Sequence, residues 1–151
     1  MVASDAGYGF ITSLGDMVTK NKSGKSIISV PKGSLSMQPL AVKDIDQELV
    51  AAFTNEGRLL IFPLKDLPIM SRGKGIKIIN IPSSRSRERV EVMLCLIVFS
   101  ERDTLVVSSG KRTLNLKMGE LDHYRGERAR RGLKLPRGFQ KVDGVETLFK
   151  G

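Results

Sequence analysis

The sequence predicts an all-β protein made of repeated units, on the basis of three observations. First, a strand, a glycine, basic residues and a second strand follow one another three times, anchored at Gly9, Gly57 and Gly110. The anchors lie 48 and 53 residues apart, and periods of about 20–50 residues are typical of propellers, solenoids and arrays. Second, the apolar segments are short and bounded by turn residues, as strands are. Third, glycine is frequent, which suits a chain with many tight turns.

The second and third units each contain a predicted hairpin. Residues 49–54 and 58–62 are apolar runs joined by a short turn that ends in Gly57, and residues 104–107 and 111–116 are joined in the same manner. This arrangement is a hairpin signature. The last run alternates between apolar and polar residues, so we expect one buried and one solvated face.

Two further strands are predicted after the first of these hairpins. Residues 75–81 form an apolar run ended by Pro82, which cannot donate to a ladder of hydrogen bonds. Residues 90–99 form a longer and nearly continuous strand. The polar, unpatterned segment 83–89 between them predicts a mobile loop.

One segment, 41–53, has a competing local pattern. Its apolar residues recur at helical spacing. The repeat instead predicts a turn around 44–47 and a strand from Leu49, and we follow the repeat.

The charge of the chain indicates a polyanionic partner. There are 25 basic and 16 acidic residues, for a net charge of +9 and an isoelectric point near 9.9. Residues 1–50 are neutral overall, so the excess lies in residues 51–151. Such an imbalance bears on partners and not on fold, and nucleic acid is the leading candidate. Aromatic residues are only 5% of the chain, so Ile, Leu, Val and Met must form most of the core.

No catalytic, metal or cofactor site is predicted. The tripeptide 24–26 resembles the end of a phosphate-binding loop, but Thr19 stands where that loop needs glycine. Residues 7–9 lack the third glycine of a dinucleotide-binding motif. His123 is the only histidine and is expected in a solvated loop. Cys95 is the only cysteine and stands in an apolar run, where a buried role is expected.

The cellular compartment follows from what the sequence lacks. A single cysteine allows no intramolecular disulfide, which suits a reducing compartment. No apolar run approaches the roughly 20 residues needed to cross a bilayer, and no signal peptide is evident. We expect a soluble cytoplasmic protein with no membrane partner.

The candidate binding residues are cations that recur at the same point of each unit. Glycine next to a cation lets backbone amides approach a phosphate closely, and units packed side by side would align the cations into a positive rim. Nothing in the pattern is suited to reading base edges, so we expect binding to the phosphate backbone. The predicted DNA-binding residues are Lys20, Lys22, Lys25, Arg58, Arg72, Lys74, Lys77, Lys111, Arg112, Arg125, Arg128, Arg130, Arg131, Lys134 and Arg137.

Four segments resemble a known family. Residues 3–10, 57–63, 73–82 and 126–132 are similar to the C-terminal domain of the A subunit of bacterial topoisomerase IV, which is paralogous to that of the gyrase A subunit. The resemblance covers essentially the whole chain. It implies a β-pinwheel of four-stranded antiparallel blades that exchange strands, with an outer rim that binds and bends duplex DNA.

The resemblance also implies partners and a location. The family's cleavage tyrosine lies in a separate N-terminal breakage–reunion core, and ATP is hydrolysed on the B subunit. This chain would then be non-catalytic and without a cofactor, and it would act in the cytoplasm at the bacterial nucleoid. We expect about three blades, near residues 1–48, 49–100 and 101–151, in one domain spanning 1–151.

Two departures from the family pattern qualify this interpretation. Three units are fewer than the five or six blades of the family, so we interpret the chain as a C-terminal fragment. Only residues 72–75 resemble the end of the basic box with which gyrase wraps DNA, which favours topoisomerase IV and leaves full wrapping in doubt.

Two other functions stay open at this point. One is a propeller fragment for protein interaction, whose basic rim only keeps it soluble. The other is a small RNA-binding barrel, which would need exposed aromatic residues for stacking. Because four of the phenylalanines lie inside predicted strands, we rank that function low.

Overall fold

Strands dominate the part of the chain that the computed structural model describes, namely residues 1–12, 33–71, 73–139 and 141–148. Two short helices, α1 (Ser83–Arg87) and α2 (Met118–Tyr124), and a 3-10 turn at Leu64–Asp66 accompany them. The strands are β1 (Val2–Ser4), β2 (Tyr8–Phe10), β3 (Glu48–Thr54), β4 (Arg58–Pro63), β5 (Ile76–Lys77), β6 (Met93–Ser100), β7 (Thr104–Ser109), β8 (Arg112–Leu116), β9 (Leu133–Lys134) and β10 (Gly144–Leu148). The all-β prediction is therefore confirmed.

The described strands form three antiparallel sheets. The first has the order β1-β2-β5, the second β6-β3-β4-β9 and the third β10-β7-β8. Both predicted hairpins are present, as β3-β4 and β7-β8. The second sheet has the four strands expected of a blade.

Two strands join a sheet that is formed by an earlier part of the chain. β5 follows β4 in sequence but pairs with β2, where Ile76 lies opposite Gly9. β9 follows β8 but pairs with β4, where Leu133 lies opposite Leu59. Each of these glycine- and cation-containing segments thus leaves its own hairpin and completes the sheet before it. The blade boundaries near residues 48 and 100 stay a prediction.

In the structure, the turn glycine of the first repeat lies two residues earlier than the sequence predicted. In both of the first two hairpins the turn glycine has a positive φ, 89° at Gly7 and 77° at Gly57. Each donates its amide to the carbonyl three residues earlier, Gly7 to Ser4 and Gly57 to Thr54, at 3.1 Å. Gly7 and not Gly9 is therefore equivalent to Gly57. Sequence alone favoured Gly9 because its position relative to the following apolar residues looks the same.

The core lies on both faces of the second sheet. Along β3, Val50 and Ala52 belong to a cluster shared with the first sheet, while Leu49, Ala51 and Phe53 belong to one shared with the third. Burial on both faces explains why this strand is continuously apolar instead of alternating. Four phenylalanines predicted inside strands are almost completely buried, at positions Phe10, Phe53, Phe62 and Phe99.

The competing helix at 41–53 is absent, as predicted. Residues 45–47 form a turn and β3 begins at Glu48. The Glu48 carboxylate accepts the amides of Lys43 and Asp44 at 2.6 and 2.7 Å. Val42 and Ile45, which suggested a helical face, pack against the first cluster from an irregular segment.

The loop predicted at 83–89 is wrong, because residues 83–87 form α1. Two of the three arginines in this segment pair with acidic residues far away in sequence. Arg85 pairs with Glu56 at 2.6 Å, and Arg89 with Asp5 at 2.8 Å. The hydrogen bond to Asp5 raises the pKa of Arg89 above its usual value. Sequence periodicity cannot reveal these long-range pairs.

Three smaller corrections concern the ends of elements. The strand predicted over 75–81 is confined to β5, because the chain turns inward and buries Ile78 and Ile79 completely. The strand predicted over 90–99 is β6, which begins at Met93. His123 is exposed, but it lies in the last turn of α2 and not in a loop.

Candidate nucleic-acid interface

The second basic segment, residues 73–77 after the β3-β4 hairpin, lies at the edge of the first sheet. Gly75 has φ of +83°, and a Cβ there would overlap the carbonyl oxygen of Gly9, so only glycine allows β5 to approach β2 this closely. Lys74, just before it, is exposed and places its Nζ 4.5 Å from the ring centre of Tyr8. Lys77 donates to Asn80 Oδ1 at 3.1 Å.

The third basic segment, residues 125–137, reaches the same place on the second sheet through β9. Gly132 has φ of +77°, and a Cβ there would lie 2.7 Å from the carbonyl oxygen of Leu59. Lys134 is exposed and lies opposite Arg58, whose guanidinium donates to the Gly132 carbonyl at 3.1 Å. The pairings of Lys77 with Tyr8 and of Lys134 with Arg58 make the two segments structurally equivalent.

Two arginines of the third segment bind to the second segment. Arg128 donates to the Lys77 carbonyl at 2.6 Å, and Arg131 to the Asn80 carbonyl at 2.7 Å. Arg131 also forms a two-pronged ion pair, at 2.7 and 3.1 Å, with Glu91, whose side chain is fully buried. These guanidinium groups join neighbouring units together.

Cations on a solvated surface can usually be removed with little effect on folding. Arg131 is a different case, because it pairs closely with the buried Glu91 carboxylate, whose other cationic partner is Arg85 at 3.4 Å. Arg130 differs, since its side chain is 71% exposed and pairs with the exposed Glu127. Arg125 is paired with Glu101 and Asp122.

A third group of cations lies at the tip of the third sheet. Lys111 and Arg112 stand at the β7-β8 turn, and both are exposed. The Arg112 guanidinium lies against Gly138, next to the exposed Arg137. The turn is held by Asp143, whose carboxylate accepts the Gly110 amide.

The predicted binding residues therefore fall into three sets. Those that are exposed and make no ion pair with any described residue are Lys74, Lys111, Arg112, Lys134 and Arg137. Those with polar or ionic partners inside the chain are Arg58, Lys77, Arg125, Arg128, Arg130 and Arg131. Those outside the described residues are Lys20, Lys22, Lys25 and Arg72.

Sequence reasoning missed one cation near these sets. Arg87 is exposed on α1 and lines a cleft together with Lys74 and Tyr8. It was passed over because its segment was interpreted as a loop without a role. The signal available was the alternation of arginine at 85, 87 and 89.

Burial disfavours the nucleophilic, deprotonated form of two side chains. Cys95 is partly buried on β6 against the second core cluster, and burial raises the pKa of its thiol. Burial also raises the pKa of Tyr124. Among the described residues no three potential metal ligands are grouped together. No helix in the described part is long and apolar enough to cross a membrane.

Comparison with known proteins identifies the class to which this fold belongs. The family model for the DNA gyrase C-terminal domain, a β-propeller, matches residues 1–35 and 48–84. A solved DNA gyrase A C-terminal domain superposes with a TM-score of 0.66 over 97% of this chain and 47% of that one, at 14% identity, which supports the fold alone. The chain belongs to the family of gyrase-type C-terminal domains, and its fold is the β-pinwheel.

Within this family the similarity to topoisomerase IV is higher. The A subunit of DNA topoisomerase 4 from Pseudomonas aeruginosa is 52% identical over 145 residues, which are 96% of this chain and 19% of that protein. The Escherichia coli ParC C-terminal domain superposes with a TM-score of 0.90 at 41% identity, over 98% of this chain and 59% of that one. The chain thus corresponds to the C-terminal domain and not to the catalytic core, and the resemblance found in the sequence is confirmed.

Proposed function

We propose that this chain binds and bends duplex DNA through its basic outer rim. The observation that carries the proposal is the equivalence of the second and third basic segments, which lie at the same edge of successive sheets. Lys74 lies near the edge of the first sheet, Lys134 at the edge of the second and Arg112 at the tip of the third. None of these three cations makes an ion pair with any described residue. Cations without ion pairs on successive sheets offer separate contacts to the phosphates of a duplex.

Within a longer protein the domain would serve as an accessory to DNA passage. We infer that it holds a second DNA segment, so that a breakage–reunion core on the same polypeptide can choose among crossover geometries during decatenation and supercoil relaxation. The ATPase of a B subunit would drive that reaction. The similarity to the A subunits of bacterial topoisomerase 4 supports these partners and a place at the nucleoid in the cytoplasm.

The dependence of affinity on salt tests this function. If the rim neutralises several phosphates, log affinity for duplex DNA falls linearly with log salt, with a slope of about −0.9 per phosphate contact. Fluorescence anisotropy with two unrelated duplexes of equal length measures the slope. The slopes should agree, because the contacts are to the backbone. A propeller that only binds other proteins would show no measurable affinity for either duplex.

A triple substitution locates the binding surface without disturbing the fold. Lys111→Ala, Arg112→Ala and Arg137→Ala together remove three exposed cations that make no ion pair with the described residues. We expect the salt slope to flatten by about two to three units for both duplexes. The melting temperature should stay nearly unchanged, because such surface substitutions typically change stability by less than about 0.5 kcal/mol each. An unchanged slope in a folded variant would remove the third sheet from the interface.

A further inference from the structure

A cleft lies between the first hairpin and α1. Its volume is about 420 Å³, and Tyr8 and Lys74 line it on the side of the first sheet. Ser83, Ser86 and Arg87 line it on the side of α1. The cleft is therefore formed by one element that belongs to the first sheet and one that follows the exchanged strand β5. It exists only because β5 crosses to the first sheet.

The electrostatics of the cleft are those of an anion site. Lys74 and Arg87 are both exposed, and neither makes an ion pair with any described residue. None of the described residues that line the cleft is acidic. The Lys74 ammonium lies 4.5 Å from the centre of the Tyr8 ring, and this cation–π contact holds the charge at the cleft wall.

Hydroxyl groups supply the remaining donors. Ser83 and Ser86 stand on α1 three residues apart, which places them on one face of the helix. Ser86 is buried and Ser83 is exposed, so the two hydroxyls line the cleft at different depths. A phosphate group has several acceptor oxygens, and cations together with hydroxyls are the donors that bind it.

We propose that this cleft is a phosphate-binding subsite, and that its occupant is a backbone phosphate of the duplex bound on the rim. Lys74 and Arg87 neutralise the phosphate, and the serine hydroxyls donate to its oxygens. The volume of the cleft leaves room for the sugars on either side of one phosphate. This inference rests on the proposed function, because it names where the second basic segment holds the DNA.

Two double variants test the subsite. Lys74→Ala with Arg87→Ala removes both cations of the cleft, and Lys65→Ala with Arg102→Ala removes one exposed lysine and one exposed arginine outside it. We expect the first variant to lose about tenfold in affinity for duplex DNA at low salt, and its salt slope to flatten by nearly two units. The salt slope of the control variant should differ from that of the parent chain by less than about half a unit. Equal slopes in the two variants would overturn the subsite.

A second measurement separates the two sources of phosphate. Amide NMR shifts of Ser83 and Ser86 are followed while the parent chain is titrated with a short duplex or with inorganic pyrophosphate. If the amides shift with the duplex at concentrations where pyrophosphate has no effect, the occupant is a backbone phosphate of the duplex. Stronger binding of pyrophosphate overturns the assigned occupant, and shifts with neither ligand overturn the site. If the parent binds duplex DNA with a steep salt slope but these amides do not shift, the proposed function stands and only the subsite fails.

Discussion

At the scale of single residues, membership of a basic run does not decide what an arginine does. Arg130 and Arg131 are adjacent in sequence, yet one points to solvent and the other neutralises a buried carboxylate. Removing one partner of a buried pair leaves an uncompensated charge, which costs far more than losing a solvated pair. Arg131 therefore stabilises the contact between units, whereas Arg130 forms only a solvated pair with Glu127.

This difference predicts opposite outcomes for two neighbouring substitutions. Arg131→Ala should lower the free energy of unfolding by about 2–3 kcal/mol. This is somewhat below the usual cost for a fully buried pair, because a third of the Arg131 side chain is exposed and Arg85 stays 3.4 Å from Glu91. Arg130→Ala should change it by less than about 0.5 kcal/mol. Urea denaturation followed by circular dichroism measures both values.

The partner residue provides the control for this comparison. In Arg131→Ala the buried Glu91 charge keeps only its longer, 3.4 Å pair with Arg85. Adding Glu91→Gln removes that poorly neutralised charge, so the double variant should be more stable than Arg131→Ala alone. Should the double variant be the less stable of the two, the charge of Glu91 would not be the cause of the loss.

At the scale of elements, the exchanged strands depend on two glycines. Gly75 and Gly132 combine a positive φ with a close approach to the carbonyl of the preceding sheet. A side chain at either position would meet both a backbone penalty and a steric overlap with an atom that cannot rotate away. These glycines therefore determine whether β5 and β9 can pair with their sheets.

Alanine at either glycine should weaken the fold. We expect Gly75→Ala and Gly132→Ala each to lower the free energy of unfolding by at least about 2 kcal/mol. Gly119→Ala is the matched control, because Gly119 lies in α2 with open space around its Cβ position. Alanine is favoured there by helix propensity, by up to about 1 kcal/mol. Thermal melts of the three variants test this, and equal losses at Gly119 and Gly75 would contradict it.

At the scale of the whole molecule, the second sheet connects the other two. Alternate residues of β3 enter the two core clusters, as Val50 and Ala51 illustrate. The segment before β9 and the segment after β5 are further joined by hydrogen bonds, from Ala129 to Ile78 at 3.0 Å and from Asn80 to Arg130 at 2.9 Å. Loss of the second sheet would therefore expose both clusters at once.

We accordingly expect the described sheets to unfold together, although repeat proteins can unfold unit by unit. Native-state hydrogen exchange should give similar free energies of opening for Phe10, Val50 and Val107, one amide from each sheet. Substantially easier opening at Val107 alone would show that the third sheet unfolds independently.

The sequence by itself determined the fold class, the family and both hairpins. The fold class and the hairpins follow from local apolar periodicity, from glycines at turns and from a repeat, all of which can be seen within about fifty residues of chain. The family follows from the resemblance of four segments to known sequences. The same local information located the second and third basic segments and gave the excess of positive charge.

Only the tertiary structure decided where the basic segments lie and which of their cations are free. β5 and β9 pair with strands that lie far earlier in the chain, as Lys77 with Tyr8 and Lys134 with Arg58 show, and Glu91 reaches Arg131 across 40 residues of sequence. Whether an arginine meets solvent or a buried carboxylate depends on such distant pairings, which leave no periodic signal in the chain. For the same reason, the sequence did not predict α1 or the cleft that Arg87 lines together with Lys74.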